Sequence, residues 1–580
     1  MTDLGLHLFY SPLLHRRIYN NFMMQNNKQE AYVALSLDET TLTFYYDNLR
    51  DNRHGATWGI DEIMEYDGKT CPAWTGVWNN RSFTVLTAIF DASFRDFCPT
   101  TTAKWFLNLN SLLNIEGLEY LNTSQVTNMN CMFLSCEALK TLDLSSFYTS
   151  HVTDMGGMFS HCSALKKLDL SNFDTSKVVD MGGMFYYCTS LKTLNLSHFN
   201  TSAVAMMRNM FTNCTALKAL DLSNFDTSGV TTMEEMFCDC SALKTLNLSN
   251  FDTSKVTTMR EMFSGCSSLK KLDLSHFDTS RVETMRGMFS RCLALTALDL
   301  SHFDTSCVEV MGGMFTECSS LSTLDLSNFD TSKVVDMGWM FSRCSALAEL
   351  DVAHFDTSKV TNLNRMFMSC SSLTALDVAH FDTSEVTNMA GMFTDCSLLT
   401  ALDLSHFDTS HVTNMSFMFS GCNSLPALDL SSFNTSHVTE MEGMFMTCSA
   451  LTTLNVAHFD TSNVKSMSFM FLCCSALTAL DVSRFDTSKV KDMGHMFVDC
   501  STLTSLDVSQ FDTSHVSDMS YMFSGCDALT TLDISHFDTS NVKNMFQMLD
   551  KGHVLRTSLP FDESQLDTDN FAPEDYCGAF

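Results

Sequence analysis

The chain has 580 residues, 45% of them hydrophobic, with 67 acidic against 35 basic side chains and a formal charge of -32. That acid excess excludes a nucleic-acid surface, which needs clustered Lys and Arg to neutralise phosphates, and the hydrophobic content excludes a disordered chain. No segment reaches the roughly 18 consecutive apolar residues of a membrane helix, so no membrane insertion is expected.

Residues 1–29 contain the apolar stretch L-G-L-H-L-F-Y-S-P-L-L, but Arg16 and Arg17 follow it, whereas a secretory signal carries its positive residues in front. No signal is recognisable, and the segment has no assigned role. Residues 30–112 read as a β-rich N-terminal cap. Within it, A-Y-V-A-L-S and T-L-T-F-Y-Y, separated by a polar break at Leu37 to Thr40, have the alternation of a hairpin. Further on, L-T-A-I-F-D-A-S-F, with Leu86, Ile89 and Phe94, echoes a degenerate repeat. Trp58, Trp74 and Trp78 are placed to cover the open end of a stack.

Residues 113–549 are periodic. Cysteine recurs every 26 residues from Cys136, Cys162 and Cys188 through to Cys526, and a phenylalanine column runs beside it through Phe147, Phe173 and Phe199 to Phe537. One unit, from Cys162, reads C-S-A-L-K-K-L-D-L-S-N-F-D-T-S-K-V-V-D-M-G-G-M-F-Y-Y. A period of this length marks a solenoid in which each unit buries its apolar face only against its neighbours.

Within the unit, Leu165, Leu168 and Leu170 follow the L-x-x-L-x-L spacing of a strand with its leucines inward, leaving Lys167, Asp169 and Ser171 outside. Phe173 and Phe199 form an aromatic spine at the next corner. Asp174, Thr175 and Ser176 are residues of the kind that cap helices. Val178, Met181, Met184, Phe185 and Cys188 then fall on one face of a short helix. The expected fold is therefore an α/β repeat: a leucine-rich-repeat solenoid of about sixteen strand-turn-helix units with an N-terminal cap. Met181 and Met184 read as gap-filling core, and Cys162, Cys188 and their counterparts as buried thiols, not disulfides or metal ligands. Residues 550–580 form an acidic terminal cover or tail.

The repeat also locates the charge. The outward strand position is Asp143, Asp169, Asp221, Asp273, Asp299, Asp325, Asp351, Asp377, Asp403, Asp429, Asp481, Asp507 and Asp533, interrupted by Asn195, Asn247 and Asn455. A second acidic column, Asp174 to Asp538, follows the phenylalanines. Carboxylates stacked about 5 Å apart repel unless hydrogen-bonded, screened or neutralised. The second column can accept local backbone amides. For the first, the sequence offers only Lys167 and nearby Ser or Thr, so an acidic stripe suited to basic or polar protein partners is expected. Calcium is the alternative reading of either column; no other cofactor is indicated.

The motif S-H-F-D-T-S, at Ser275 to Ser280, Ser301 to Ser306 and Ser405 to Ser410, tempts a hydrolase triad. Its histidine is Asn172, Asn224, Arg484 or Gln510 in equivalent units, and a triad needs one concave site with an oxyanion hole, so no enzyme is expected. His276, His302, His354, His380, His406 and His458 are expected at solvated edges.

The unit L-D-L-S-x-F-D-T-S-x-V-x-x-M-x-x-M-F-x-x-C resembles the repeat of BspA-like leucine-rich-repeat surface proteins of mucosal bacteria and some protozoa, over residues 113–549. The hairpin and the F-D-A-S-F segment also resemble the N-terminal flank of bacterial members. The resemblance implies a non-enzymatic adhesion protein at the cell surface or outside the cell, engaging host matrix or microbial proteins. The alternatives are an intracellular scaffold and a cation-binding structural repeat.

Overall fold

A computed structural model describes residues 28–66, 68–75 and 84–549. Trp78, residues 1–27 of the N-terminal segment and the tail from residue 550 lie outside the described residues. The chain divides into two compact units, Met1–Gly229 and Val230–Phe580.

The first unit opens with the hairpin. Strand β1 (Glu30–Leu35) pairs antiparallel with β2 (Thr41–Asp47), Val33 opposite Phe44, and with β3 (Thr57–Gly59) on its other side. A small antiparallel pair, β4 (Ile63–Tyr66) and β5 (Lys69–Pro72), follows. Strand β6 (Thr87–Phe90) joins β2 in parallel, and β7 (Asn114–Glu116) joins β6 in parallel, so one five-stranded sheet runs from the hairpin into the first coils. Its core is aromatic: Phe44 stacks on Phe90 at 4.5 Å and on Trp105 at 5.6 Å. Trp74 is fully buried and donates its indole N–H to the Trp105 carbonyl at 2.9 Å, and Trp58 is buried as well.

Beyond the cap, both units are β-solenoids and depart from the expected fold. Among the described residues there is no α-helix, only three short 3-10 turns in the cap and first coil. The sixteen helix-containing units are therefore not present. The segment expected as helix is a run of tight turns whose amides alternate between two kinds of partner. Met155, Gly157, Phe159 and His161 donate across to Asp180, Gly182, Met184 and Tyr186 of the next coil, at 2.6–3.0 Å. Between them, Met158, Ser160 and Cys162 donate back three residues, to Met155, Gly157 and Phe159.

An α-helix would send every one of these amides four residues back. Here two residues per coil stand in the left-handed region, Gly157 at φ +61° and His161 at +58°, which no α-helix contains. The Val178, Met181, Met184 spacing is thus the step of successive three-residue turns. Parallel bridges join the same position in successive coils, Asn128 to Asp154 to Asp180 to Met206 in the first unit and Thr258 to Thr284 to Val310 in the second. The leucine segment forms a regular ladder only in places, as where Ala297–Leu298 pairs with Thr323–Leu324.

Candidate interaction face

Each coil packs its side chains in columns. Val178, Met181, Met184, Leu165, Leu170, Phe173 and Phe199 are all buried. The tighter aromatic stack is the phenylalanine of the M-F pair in each coil: Phe133, Phe159, Phe185 and Phe211 lie 5.6–5.9 Å apart and within 11° of parallel. Phe147 and Phe173 of the expected spine are looser, at 6.5 Å. The cysteines of the 26-residue column are buried thiols that donate to the carbonyl of a phenylalanine in the preceding coil; Cys162 reaches Phe133 at 3.3 Å and Cys188 reaches Phe159 at 3.2 Å. Burial in this apolar column pushes both thiols well up from their ordinary range.

A threonine column was not singled out from the sequence, yet it ties the coils together. Thr175 and its counterparts up to Thr513 are buried, and their hydroxyls donate to main-chain oxygens of the next coil, as Thr175 does to Asn200 at 2.9 Å and Thr279 to Asp304 at 2.8 Å. Its fixed place after F-D or F-N was the available signal.

This frame holds the acidic strand column outward. Asp169 Oδ1 accepts the Ser171 amide at 3.0 Å, and the same turn recurs with Ser223 on Asp221, Ser275 on Asp273, Ser301 on Asp299, Ala353 on Asp351 and Ala379 on Asp377, at 3.0–3.1 Å. Asp325, Asp403, Asp429, Asp481, Asp507 and Asp533 repeat it at 3.0 Å. The missing donor is therefore the main chain two residues on, not Lys167. The Ser171 amide and hydroxyl hold Asp169 below the usual carboxylate range, and Ser275 does the same for Asp273. These carboxylates are exposed and oriented alike.

The second acidic column forms the same local turn, Ser176 N–H donating to Asp174 at 3.0 Å, with no helix for it to cap. The intervening histidines His276, His302, His354, His380, His406 and His458 are exposed, as expected of edge residues, and three of them also bridge coils. His276 Nε2 contacts the Leu248 carbonyl at 2.8 Å, His354 that of Leu326 at 2.9 Å and His458 that of Leu430 at 3.0 Å, so these rings staple neighbouring coils. Asn172 does the same work, donating to Leu144 and Phe147. At Ser301 the hydroxyl sits between Asp299, at 2.7 Å, and His302 Nδ1, at 3.1 Å. A hydrolase triad places the histidine in the middle, so this order serves no proton relay.

A family model described as a Mycoplasma protein of unknown function, DUF285, matches residues 100–220, 206–323, 293–401, 373–479 and 471–570. The chain belongs to the DUF285 family. The likeness to a bacterial repeat family read from the sequence holds at that level. No curated protein matches the chain. Among solved structures it is similar to a leucine-rich repeat protein from Bacteroides ovatus, at 16% identity and TM-score 0.33, covering 69% of this chain and 92% of that one. It is also similar to a leucine rich cell surface protein from Faecalibacterium prausnitzii, at 14% identity and TM-score 0.20, covering 92% and 94%. The functional domain of InlJ from Listeria monocytogenes, described as including a cysteine ladder, matches at 18% identity and TM-score 0.16, covering 73% and 63%.

Along this DUF285 chain the strand face changes character. Beside the aspartates stands a lysine column, Lys140, Lys166, Lys192, Lys218, Lys244 and Lys270, which gives way to Thr296, Ser322, Ala348, Thr374, Thr400, Pro426 and Thr452. From Asp299 onward the oriented carboxylates therefore lack adjacent cations in that column. Among the described residues no group of three or more His, Cys, Asp or Glu is placed to hold a metal ion, and no helix is long and apolar enough to cross a membrane.

Proposed function

We propose that this DUF285 chain is a surface or secreted adhesion protein whose strand face, from Asp299 to Asp533, docks basic segments of host matrix or microbial proteins. The observation that carries the reading is the repeated, outward-facing carboxylate held in one orientation by the Ser or Ala amide two residues on, beside a column from which lysine has disappeared. Preoriented like charges attract a complementary partner, raise its association rate and make binding salt-dependent. The family supplies the repeat and leaves the partner open.

A second reading, an interaction scaffold inside the cell, is favoured by the cysteine column from Cys136 to Cys526, which carries free thiols where an oxidising compartment favours disulfides, although Cys473 beside it is disulfide-bonded. Binding of the purified chain to immobilised matrix and microbial surface proteins tests the first. Wild type should bind in low salt and weaken as salt rises. Asp377→Lys with Asp403→Lys should abolish binding, while Asp169→Lys, in the lysine-bearing part, should leave most of it. Surface protease shaving of native cells separates the two locations, and a protected chain with no matrix binding overturns the adhesion reading.

A further inference from the structure

A second face is the run of tight turns, and in the second unit one stretch of it is hollow. The left-handed turn position, successive in coils, reads Glu261, Gly287, Gly313, Trp339 and Arg365. The position just before it reads Arg260, Arg286, Gly312, Gly338 and Asn364. Glycines thus clear side chains from neighbouring positions of successive coils, and the result is a groove of about 610 Å³. Trp339 is the one tryptophan of the repeats.

The walls of the groove are specific. The Arg365 guanidinium lies 4.5 Å from the Trp339 ring centre, which occupies one face of the indole. On the other side stands Gly313, at φ +67°, where an added Cβ would meet only Thr316 Oγ1 within 4 Å, so that side is open. Asp336 lies on the groove floor, accepting from the Gly338 amide at 3.0 Å and from Asn362 Nδ2 at 2.9 Å, with Arg286 Nη1 at 3.8 Å. Asn364 Oδ1 sits over Gly338 without a hydrogen-bond partner. That atom is closed off from solvent, so the polar groups the groove offers a ligand are Arg286, which is more than half exposed, and the partly exposed Asp336 and Asn362.

We propose that this groove binds a neutral saccharide, the end or an internal ring of a glycan. Its volume falls in the range of small-ligand sites, and its composition is one aromatic plate with a few convergent polar groups. The negative face of an indole attracts the weakly positive C–H face of a sugar ring. Donors and an acceptor stand side by side, Arg286 and Asn362 with Asp336, which suits hydroxyls that both give and accept. An anion would meet Asp336, a cation would meet Arg286, and a purely apolar ligand would strip water from both without replacing their hydrogen bonds.

The groove is independent of the strand face, and the experiment keeps them apart. Full-length labelled chain is applied to an array of neutral and acidic oligosaccharides, and the strongest neutral glycan is then titrated by calorimetry. Binding of neutral glycans is expected. Trp339→Ala should weaken it about tenfold or more, and Trp339→Phe, which keeps a ring, should weaken it less. Asp336→Asn, which keeps the acceptor for Gly338, should weaken it as well, while Asp403→Lys should bind glycan as wild type does. The phenylalanine variant separates a lost plate from a lost fold. Absence of any neutral-glycan binding, confinement to acidic glycans, or wild-type affinity in Trp339→Ala overturns the proposal.

Discussion

Thr175 and Asn200, one coil apart, exchange two hydrogen bonds through a single hydroxyl: Thr175 Oγ1 donates to the Asn200 carbonyl at 2.9 Å and accepts the Asn200 amide at 2.9 Å. The same closed exchange joins Thr149 to Asp174 and Thr513 to Asp538. A hydroxyl can play both parts because it carries one donor and two lone pairs. It satisfies two main-chain groups at a corner where no strand neighbour is in register.

Thr175→Val preserves shape and removes both bonds, leaving an amide and a carbonyl of Asn200 unpaired in a part-buried site beside the buried threonine. The expected loss is about 1–3 kcal/mol in urea unfolding. Thr175→Ser should recover most of it. Equal stability of the Val variant and the wild type would show that the exchange contributes nothing.

The aromatic stack supports the next expectation. Phe185 is fully buried between Phe159, at 5.9 Å, and Phe211, at 5.6 Å. Phe185→Ala should cost about 3–5 kcal/mol, as large-to-small changes in rigid cores do. Phe185→Leu should cost less, since it restores most of the volume. Chemical denaturation of the two variants measures the difference.

How much of this was legible in the sequence depends on what each residue type reports. Column membership was legible throughout: Cys162, Met181, Met184 and Phe173 are buried because their spacing repeats without a break. Secondary structure was not, because Val178, Met181 and Met184 at three-residue steps fit one face of a helix as well as a series of turns. The Gly182-Gly183 pair was the discriminating signal, since Gly183 adopts φ +60°. Non-glycine residues such as His161 and Trp339 take the same left-handed conformation under the constraint of neighbouring coils, which no local propensity announces. The acidic column was visible, but its main-chain donor was not, because Asp169 and Ser171 are two residues apart and the turn joining them was read as strand. The groove at Trp339 depends on glycines in adjacent coils and becomes apparent only when the coils are stacked.

The thiols give a prediction that needs no mutation. Cys98 is exposed, whereas the column thiols are buried and their ionisation is suppressed by the apolar surroundings. Because the thiolate is the reactive form, brief iodoacetamide treatment of native protein should modify Cys98 and spare Cys188 and Cys266. All three should react after denaturation. Peptide mass spectrometry reads the outcome, and native-state labelling of Cys188 would mean that the column opens to solvent.

A pH dependence follows from the half-buried carboxylates of the turn face. Asp492 is raised above the usual range by burial, with the Asp518 charge adding to the effect, although the Gly494 amide opposes it at 2.9 Å. A carboxyl whose folded value exceeds its unfolded one contributes stability while protonated, and that contribution is lost as pH rises through the folded value. Asp492 therefore destabilises at neutral pH. The exposed strand-face aspartates act in the opposite sense: Asp169 and Asp273 are lowered, so their contribution is present at neutral pH and is lost as pH falls through their folded values. Asp492→Asn keeps an acceptor for the Gly494 amide and removes the repulsion from Asp518. Its melting temperature should exceed that of the wild type at pH 7, and the gap should close as pH falls into the carboxylate range, because the wild-type carboxyl then protonates. A gap independent of pH would assign the effect to packing instead of charge.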